Sequence, residues 1–438
     1  PYVNGTSMTF TVSAGGTLPT GITAGTTYYV QNLDGVTCNI STDAGGSSLV
    51  TVSGAGSGTF SIAELLDVPT VQNFIYNSDT SNFLFAFGCN DIGSAIQDPM
   101  LIRWSDQQAP TAWYPSATNQ AGSVRLSHGS SIISAIQTRQ EIVTFTDSSV
   151  YSLQYVGAPI VWSTQLLGDN ISILSQNAVA LASGVVYWMG TDKFYKYDGR
   201  VQTLRCDLRQ YIYSDINLDQ SDQVFAGTNE GFNEVWWFYC SKDNNTYTPD
   251  RYVIYNYLED VWYYGTMNRT AWLDSGINDY PIAAVYTDSV TPYGGRLLNH
   301  EYGVDDNVDG TPNGMVTLIA SSEFDIEDGH NFGFVWRILP DLTFRGSTGS
   351  LTPQVTMTLI PLANSGSGYS NPQSEGGSSY ATIQRITQTP VEEFTGQVYV
   401  RVRGRQMVFR IDSSQQGTQW QLGAPRIDIK TDGRRGNS

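Results

Sequence analysis

Glu234-Val235-Trp236-Trp237-Phe238-Tyr239 is a six-residue run dominated by apolar and aromatic side chains. It is too short to read as a helix, and its residue types fit a pleated surface. Past a polar turn, Arg251-Tyr252-Val253-Ile254-Tyr255-Asn256-Tyr257 repeats that character, and Asp260-Val261-Trp262 follows. A second copy of the grammar reads Val185-Val186-Tyr187-Trp188-Met189-Gly190, then Phe194-Tyr195-Lys196-Tyr197-Asp198-Gly199. Each copy is a strand, a turn, and a second aromatic strand ending at Asp-Gly or Asp-x-Trp. That is the hairpin unit expected of a propeller blade. A generic β-meander satisfies the same pattern, and the repeat is too degenerate to fix a blade number.

Working outward, apolar runs of four to eight residues recur across residues 63–312, separated by Gly, Asp and Asn turns. They include Leu101–Trp104, Glu141–Phe145, Val150–Tyr155 and Ile282–Tyr286, and no long amphipathic helix interrupts them. This section is expected to be a β-propeller. Residues 1–62 differ, being rich in Gly, Thr and Ser and nearly free of charge. The alternations Met8, Phe10, Val12 and Tyr28, Val30 point to a small inserted β module with strands at Ser7–Val12, Thr26–Gln31, Val36–Ser41 and Leu49–Ser53. Residues 313–438 alternate over Phe332–Leu339, Val355–Ile360, Gln397–Val402 and Gln406–Ile411, which suits an antiparallel sandwich ending in a loose basic tail. The expected class is therefore all-β: a propeller, an inserted module and a C-terminal sandwich-like domain.

The 438 residues carry 12% aromatic and only 15% charged side chains, so there is ample apolar surface to offset chain entropy. With 23 Lys and Arg against 41 Asp and Glu, the net charge is −18. Such a chain repels phosphate, which argues against sequence-reading nucleic-acid binding but not against DNA sliding past. No apolar run approaches the length of a membrane-spanning helix, and no signal peptide is visible. The chain opens Pro-Tyr-Val directly into a strand-like run, so further residues are expected upstream.

Chemistry is sparse. The four cysteines, Cys38, Cys89, Cys206 and Cys240, lie far apart, and His128, His300 and His330 share no metal-like spacing. Neither a nucleophile elbow nor a phosphate loop is present, and no cofactor is expected. Asp305, Asn307 and Asp309, followed by Gly310, copy the first half of a calcium loop, but Val316 stands where the bidentate Glu belongs. Asp305, Asp306, Asp309, Glu323, Asp325, Glu327 and Asp328 cluster in sequence, and a carboxylate pair among them would be needed for glycoside hydrolysis. Arg401, Arg403 and Arg405 alternate with Val400 and Val402, which on a strand places three guanidinium groups on one face. Such a row needs opposing anions: carboxylates of a neighbouring subunit, local salt bridges, or DNA phosphates. Trp236, Trp237, Trp262 and Trp272 read as core residues rather than a sugar platform.

Several ordered motifs resemble one family. They are Ile102-Arg103-Trp104-Ser105-Asp106-Gln107 with Trp113, Phe145-Thr146-Asp147 with Val150-Tyr151, the two aromatic units above, and His300-Glu301-Tyr302-Gly303. Arg426-Ile427-Asp428-Ile429-Lys430 and Asp432-Gly433-Arg434-Arg435 close the series. Together they resemble the tail nozzle, or packaged-DNA stabilisation, proteins of short-tailed bacteriophages. The resemblance implies a virion structural protein, assembled in the host cytoplasm as a homohexameric ring below the portal and adaptor. DNA would be retained and then ejected through its centre. The family pattern carries no catalytic residue, and residues 1–62 fall outside it. Two other readings stay open: a tail adhesin that binds host glycans, and a carboxylate-based glycan-degrading tail enzyme.

Overall fold

The computed structural model describes residues 4–34, 37–43, 45–65, 67–243, 247–287, 294–307, 310–325, 331–349, 351–362 and 386–434. The chain is all-β, with Arg209–Asp215 the one α-helix among the described residues. It divides into two compact units, Pro1–Ser275 with Val285–Ser289, and Gly276–Ala284 with Val290–Ser438.

The first unit begins with the N-terminal module. Its sheet runs in the order Thr37–Ser41, Thr27–Asp34, Ser7–Val12, Phe60–Leu65. Met8, Tyr28, Val30 and Ile40 form its core, with the Phe10 ring edge-on to Tyr28. The expected strand at Leu49–Ser53 forms only isolated bridges, from Leu49 to Ser41 and from Ser53 to Thr20. Phe60–Leu65 takes its place because it pairs along all six residues of Ser7–Val12. The module thus closes a few residues beyond the expected boundary at 62.

Four antiparallel sheets follow, each of four strands paired in chain order. Meander I comprises Phe74–Asn77, Leu84–Phe87, Leu101–Trp104 and Gly122–Arg125. Meander II comprises Ile132–Gln137, Glu141–Thr146, Ser149–Gly157 and Val161–Asp169. Meander III is Val179–Ala182, Val185–Met189, Phe194–Tyr197 and Val201–Leu204. Meander IV is Phe225–Asn229, Glu234–Tyr239, Arg251–Asn256 and Val261–Thr266. The aromatic hairpins of the sequence are the central strands of meanders III and IV.

Those central strands are buried on both faces, which explains their unbroken apolar character. In Glu234–Tyr239, Val235, Trp237 and Tyr239 enter a core shared by meanders II, III and IV, while Trp236 and Phe238 face a separate aromatic cluster. Side chains alternate between faces with period two, so a strand with neighbours on both sides has no polar face. Phe145 of meander II meets Trp188 of meander III at 5.0 Å, and Phe194 of meander III meets Trp237 of meander IV at 5.0 Å. Phe85 of meander I meets Trp162 of meander II at 4.9 Å. Burying each such ring contributes roughly 2–3 kcal/mol relative to exposure.

The second unit contains two antiparallel sheets over one core. One has the order Thr317–Ala320, Gln406–Ser413, Gln354–Leu362, Thr387–Glu392, with Phe324–Asp325 also on Gln406–Ser413. The other has Asn331–Leu339 between Val398–Gly404 and Arg426–Arg434. Met357, Leu359, Met407 and Phe409 of the first share a buried cluster with Val335, Ile338, Val400 and Val402 of the second. This is the sandwich expected of the C-terminal part. The compact unit that contains it begins at Gly276, and the first strand of its two sheets is Thr317–Ala320. Asp305 and Gly314 belong with it because the Gly417 N–H donates to Asp305 Oδ1 at 2.6 Å and Gly314 packs against the backbone of Ser414 and Gln415.

Candidate functional site

The arginine row lies on the strand Val398–Gly404. Val398, Val400 and Val402 are buried, and Tyr399, Arg401 and Arg403 point outward. Arg405 does not extend the row. The strand ends at Gly404, and Arg405 is the residue through which the chain crosses to the opposite sheet, its backbone N–H donating to the Leu362 carbonyl at 2.9 Å. Gly404 has no room for a side chain at this corner, because a Cβ there would lie 2.9 Å from Pro361 Cβ.

The neighbouring strands extend the row into a cationic, aromatic face. Phe334 pairs across to Arg403 on one side and Lys430 on the other, and Arg337 pairs to Tyr399 and Asp428. The Arg403 guanidinium lies 4.2 Å above the Phe332 ring, and its Nε donates to Asp432 Oδ2 at 2.5 Å. The Trp336 ring sits under two cations, Arg337 at 4.8 Å and Lys430 at 5.4 Å. Arg337 also pairs with Asp428 at 2.6 Å. Arg401 is exposed and makes no ion pair or hydrogen bond among the described residues. Arg337, Arg401, Arg403, Arg426 and Lys430 stand against Asp428 and Asp432, five positive charges to two negative, within a chain of net charge −18. Stacking on the rings holds the guanidinium planes in place while leaving donors free at their edges, a geometry suited to carboxylates or phosphates.

A second feature belongs to the first unit. The opening strands of meanders I to IV and the strand Ala271–Leu273 converge on one cavity of about 600 Å³. Phe74 and Tyr76 come from meander I, Ser134 and Ile136 from meander II. Gln176 and Asn177 lead into meander III, Asp222 leads into meander IV, Phe225 opens its first strand, and Trp272 joins them from Ala271–Leu273. Several of these are fixed by backbone bonds. The Tyr76 hydroxyl accepts the Gln137 N–H at 2.8 Å, and Ser134 Oγ donates to the Gln176 carbonyl at 2.6 Å. Trp272 Nε1 donates to the Thr228 carbonyl at 2.7 Å, and its ring stacks on Trp236 at 4.9 Å. Burial pushes the Tyr76 hydroxyl above the usual phenol range. The sequence did not signal this cavity, because the strands that line it are short and half polar.

The other candidates are dispersed. Asp305 lies in a short strand paired with Asn313–Gly314, its carboxylate taken by the Gly417 N–H; Asp309 lies outside the described residues. Among the described residues no three His, Cys, Asp or Glu side chains gather as a metal site would require. Of the sequence cluster of acids, Glu327 and Asp328 lie outside the described residues, and Asp325 faces Gln406 Nε2 at 3.5 Å. Trp236 and Trp237 are buried, in line with core packing, and Trp262 packs against Phe194 and Tyr255. All four cysteines are free thiols, and burial raises the Cys89 and Cys240 thiols to about 11. Among the described residues no helix is long and apolar enough to cross a membrane.

No family model matches the chain, and no curated protein matches it in sequence. Solved structures give low-scoring likenesses. Kluyveromyces lactis Hsv2p is 12% identical over 62% of this chain and 70% of its own, with a TM-score of 0.30. The extracellular domain of a B. thetaiotaomicron one-component system is 10% identical over 66% of this chain and 34% of its own, with a TM-score of 0.31. An S. cerevisiae assembly of Dbp5 with Nup159 and Gle1 is 9% identical over 53% of this chain and 74% of the matched one, with a TM-score of 0.25. Likenesses at these scores carry no function across.

Proposed function

We propose that the chain is a structural subunit of a homo-oligomeric ring, and that this ring is the nozzle, or lower tail tube, of a short-tailed phage virion. The carrying observation is the cationic face around Arg401 and Arg403 on a chain of net charge −18. Copies of an acidic chain repel one another at long range. A local patch of opposite sign that meets the common acidic surface offsets that repulsion. A group of guanidinium side chains, two of them over aromatic rings, supplies such a patch, and the rest of the chain supplies carboxylates in excess. Repetition of that heterologous contact closes a ring when the rotation between neighbouring copies divides the full turn.

Within such a ring, acidic surface turned inward forms a conduit through which DNA slides without adhering. The resemblance of the aromatic units and of the closing Arg426–Lys430 segment to tail nozzle proteins supports the particular assignment. The four successive meanders have the form of propeller blades, and we read the first unit as a propeller on that basis. An enzymatic reading finds less support, because the cavity of the first unit is lined by a single carboxylate, Asp222, where glycoside hydrolysis needs two.

Charge reversal tests the reading. The protein with Arg401→Glu and Arg403→Glu is compared with the unaltered chain by light scattering after size exclusion. The unaltered chain assembles into a closed oligomer, and the double variant remains monomeric with unchanged secondary structure. Assembly of the double variant at undiminished affinity would defeat the proposed interface and the ring built on it.

A further inference from the structure

The cavity at the opening strands of the meanders has the chemistry of a saccharide site. Its volume of about 600 Å³ lies within the ordinary range for ligand pockets, roughly 300–1,000 Å³. Four aromatic side chains, Phe74, Tyr76, Phe225 and Trp272, line it together with aliphatic ones such as Ile136 and Val179. Trp272 is rigidly held. Its ring lies over Gly227, where a Cβ would come within 2.5 Å of Trp272 Cδ1, and it stacks on Trp236 at an interplanar angle of 19°. Its indole N–H is already committed to the Thr228 carbonyl. A preorganised aromatic at a cavity wall offers a platform for the C–H face of a sugar ring at little entropic cost.

The polar lining points the same way. Gln176, Asn177 and Asp222 are exposed around the cavity, and their side chains make no hydrogen bond to any described residue. Two amides and a carboxylate offer planar donors and acceptors of both kinds. Sugar hydroxyls, which donate and accept at once, match such a set. Asp222 is the single ionisable carboxylate of the lining, and no Lys, Arg or His lines it. An anionic glycan or a phosphate ester would therefore meet repulsion without a counter-charge.

We propose that this cavity binds a short neutral oligosaccharide, with Trp272 and Tyr76 as apolar platforms and Gln176, Asn177 and Asp222 as the groups that read its hydroxyls. Every lining residue belongs to the first unit and none to the arginine face. Binding at this site would make the chain a surface-recognition module as well as a structural one.

The test is calorimetric titration of the intact chain with neutral gluco-, manno-, galacto- and N-acetylglucosamine oligosaccharides, and with chondroitin sulfate as the anionic probe. Saturable binding of one neutral series is expected, with no binding of the sulfated polymer. The substitutions Gln176→Ala and Asp222→Ala alter exposed side chains only, and together they are expected to weaken binding at least about tenfold, the loss of a hydrogen bond or two. Trp272→Leu, checked for retained secondary structure, is expected to weaken it further. No saturable binding to any neutral series at about 10 mM, well past the weak end of specific recognition, overturns the proposal. So does preference for the sulfated polymer, or undiminished affinity in the Gln176/Asp222 double variant.

Discussion

The Tyr197 hydroxyl donates to Glu141 Oε1 at 2.6 Å, and this bond ties meander III to meander II. The other oxygen of the same carboxylate accepts from Ser152 Oγ and, at 3.1 Å, from Gln154 Nε2. Burial and the nearby carboxylate push the Tyr197 phenol well above its usual range, so it stays a donor throughout the neutral region. Tyr197→Phe removes one donor and is expected to destabilise the first unit by about 1 kcal/mol. Glu141→Ala leaves three donors without their acceptor and is expected to cost about 1.5–3 kcal/mol. In urea titrations followed by Trp fluorescence, the double variant should lose less than the sum of the two.

Arg103 is 1% exposed and serves the backbone, donating to the carbonyls of Asp67 at 2.7 Å, Asn90 at 3.2 Å and Trp113 at 3.4 Å. Its guanidinium lies 3.7 Å from the Asp67 carboxylate. Burial raises the Asp67 carboxyl above its usual range, and Arg103 opposes that rise. Arg103→Met is expected to destabilise by about 3–5 kcal/mol, since it leaves a half-buried carboxylate without its counter-charge and three carbonyls without this donor. A raised folded-state pKa means that the folded chain holds the proton more tightly than the unfolded one. The deficit of the variant should therefore shrink as pH falls through the carboxylate range and grow as it rises. Chemical denaturation at a series of pH values measures this, and a pH-independent deficit would contradict the assigned role of Asp67.

Gly227 pairs with Trp236, and Trp272 covers it so closely that no Cβ fits. Gly227→Ala is expected to cost about 1–3 kcal/mol by overpacking and to displace Trp272 from its stack. The near-ultraviolet circular dichroism of the coupled Trp236 and Trp272 rings should fall, while the far-ultraviolet spectrum is retained. Saccharide binding should weaken in the same variant.

In the N-terminal module, Asp43 closes the loop between the strand Thr37–Ser41 and Ser48. It accepts the Ser47 N–H at 3.0 Å, the Ser48 N–H at 2.6 Å and the Ser41 hydroxyl at 3.0 Å. Led by the Ser47 backbone bond, these hold the Asp43 carboxyl well below its usual range. A depressed folded-state pKa stabilises the loop above the unfolded value of about 4 and loses that effect as pH falls below it. Hydrogen exchange at Ser47 and Ser48, corrected for intrinsic rates, should quicken on acidification in the unaltered chain. Asp43→Ala should exchange quickly at every pH.

The parts of the fold that were legible in the sequence were the ones with faces to bury. Val185–Met189, Phe194–Tyr197 and Glu234–Tyr239 stand where their aromatic runs put them, because a central strand packed on both sides cannot hide its composition. Phe74–Asn77, Gly122–Arg125 and Val201–Leu204 carry no such signature, being four-residue strands with mixed side chains at sheet edges. Of these, Phe74–Asn77 lines the cavity, beside the opening strands of the other meanders, and its mixed composition carries no sign of that role. The alternation at Arg401 and Arg403 was readable, as period two requires. Their partners were not: Asp432 is 29 residues from Arg403, and the turn at Arg405 depends on a crossing between two sheets. Long-range pairing of that kind leaves no local trace in a sequence.

Electron microscopy of the purified chain tests the central claim, that this acidic β protein builds a ring through its cationic sheet face. Class averages should show closed rings with a central pore, the face bearing Arg401 and Arg403 buried between neighbouring subunits and acidic side chains turned to the lumen. A monodisperse monomer at every concentration, or a ring in which Arg401 and Arg403 face solvent, would contradict it.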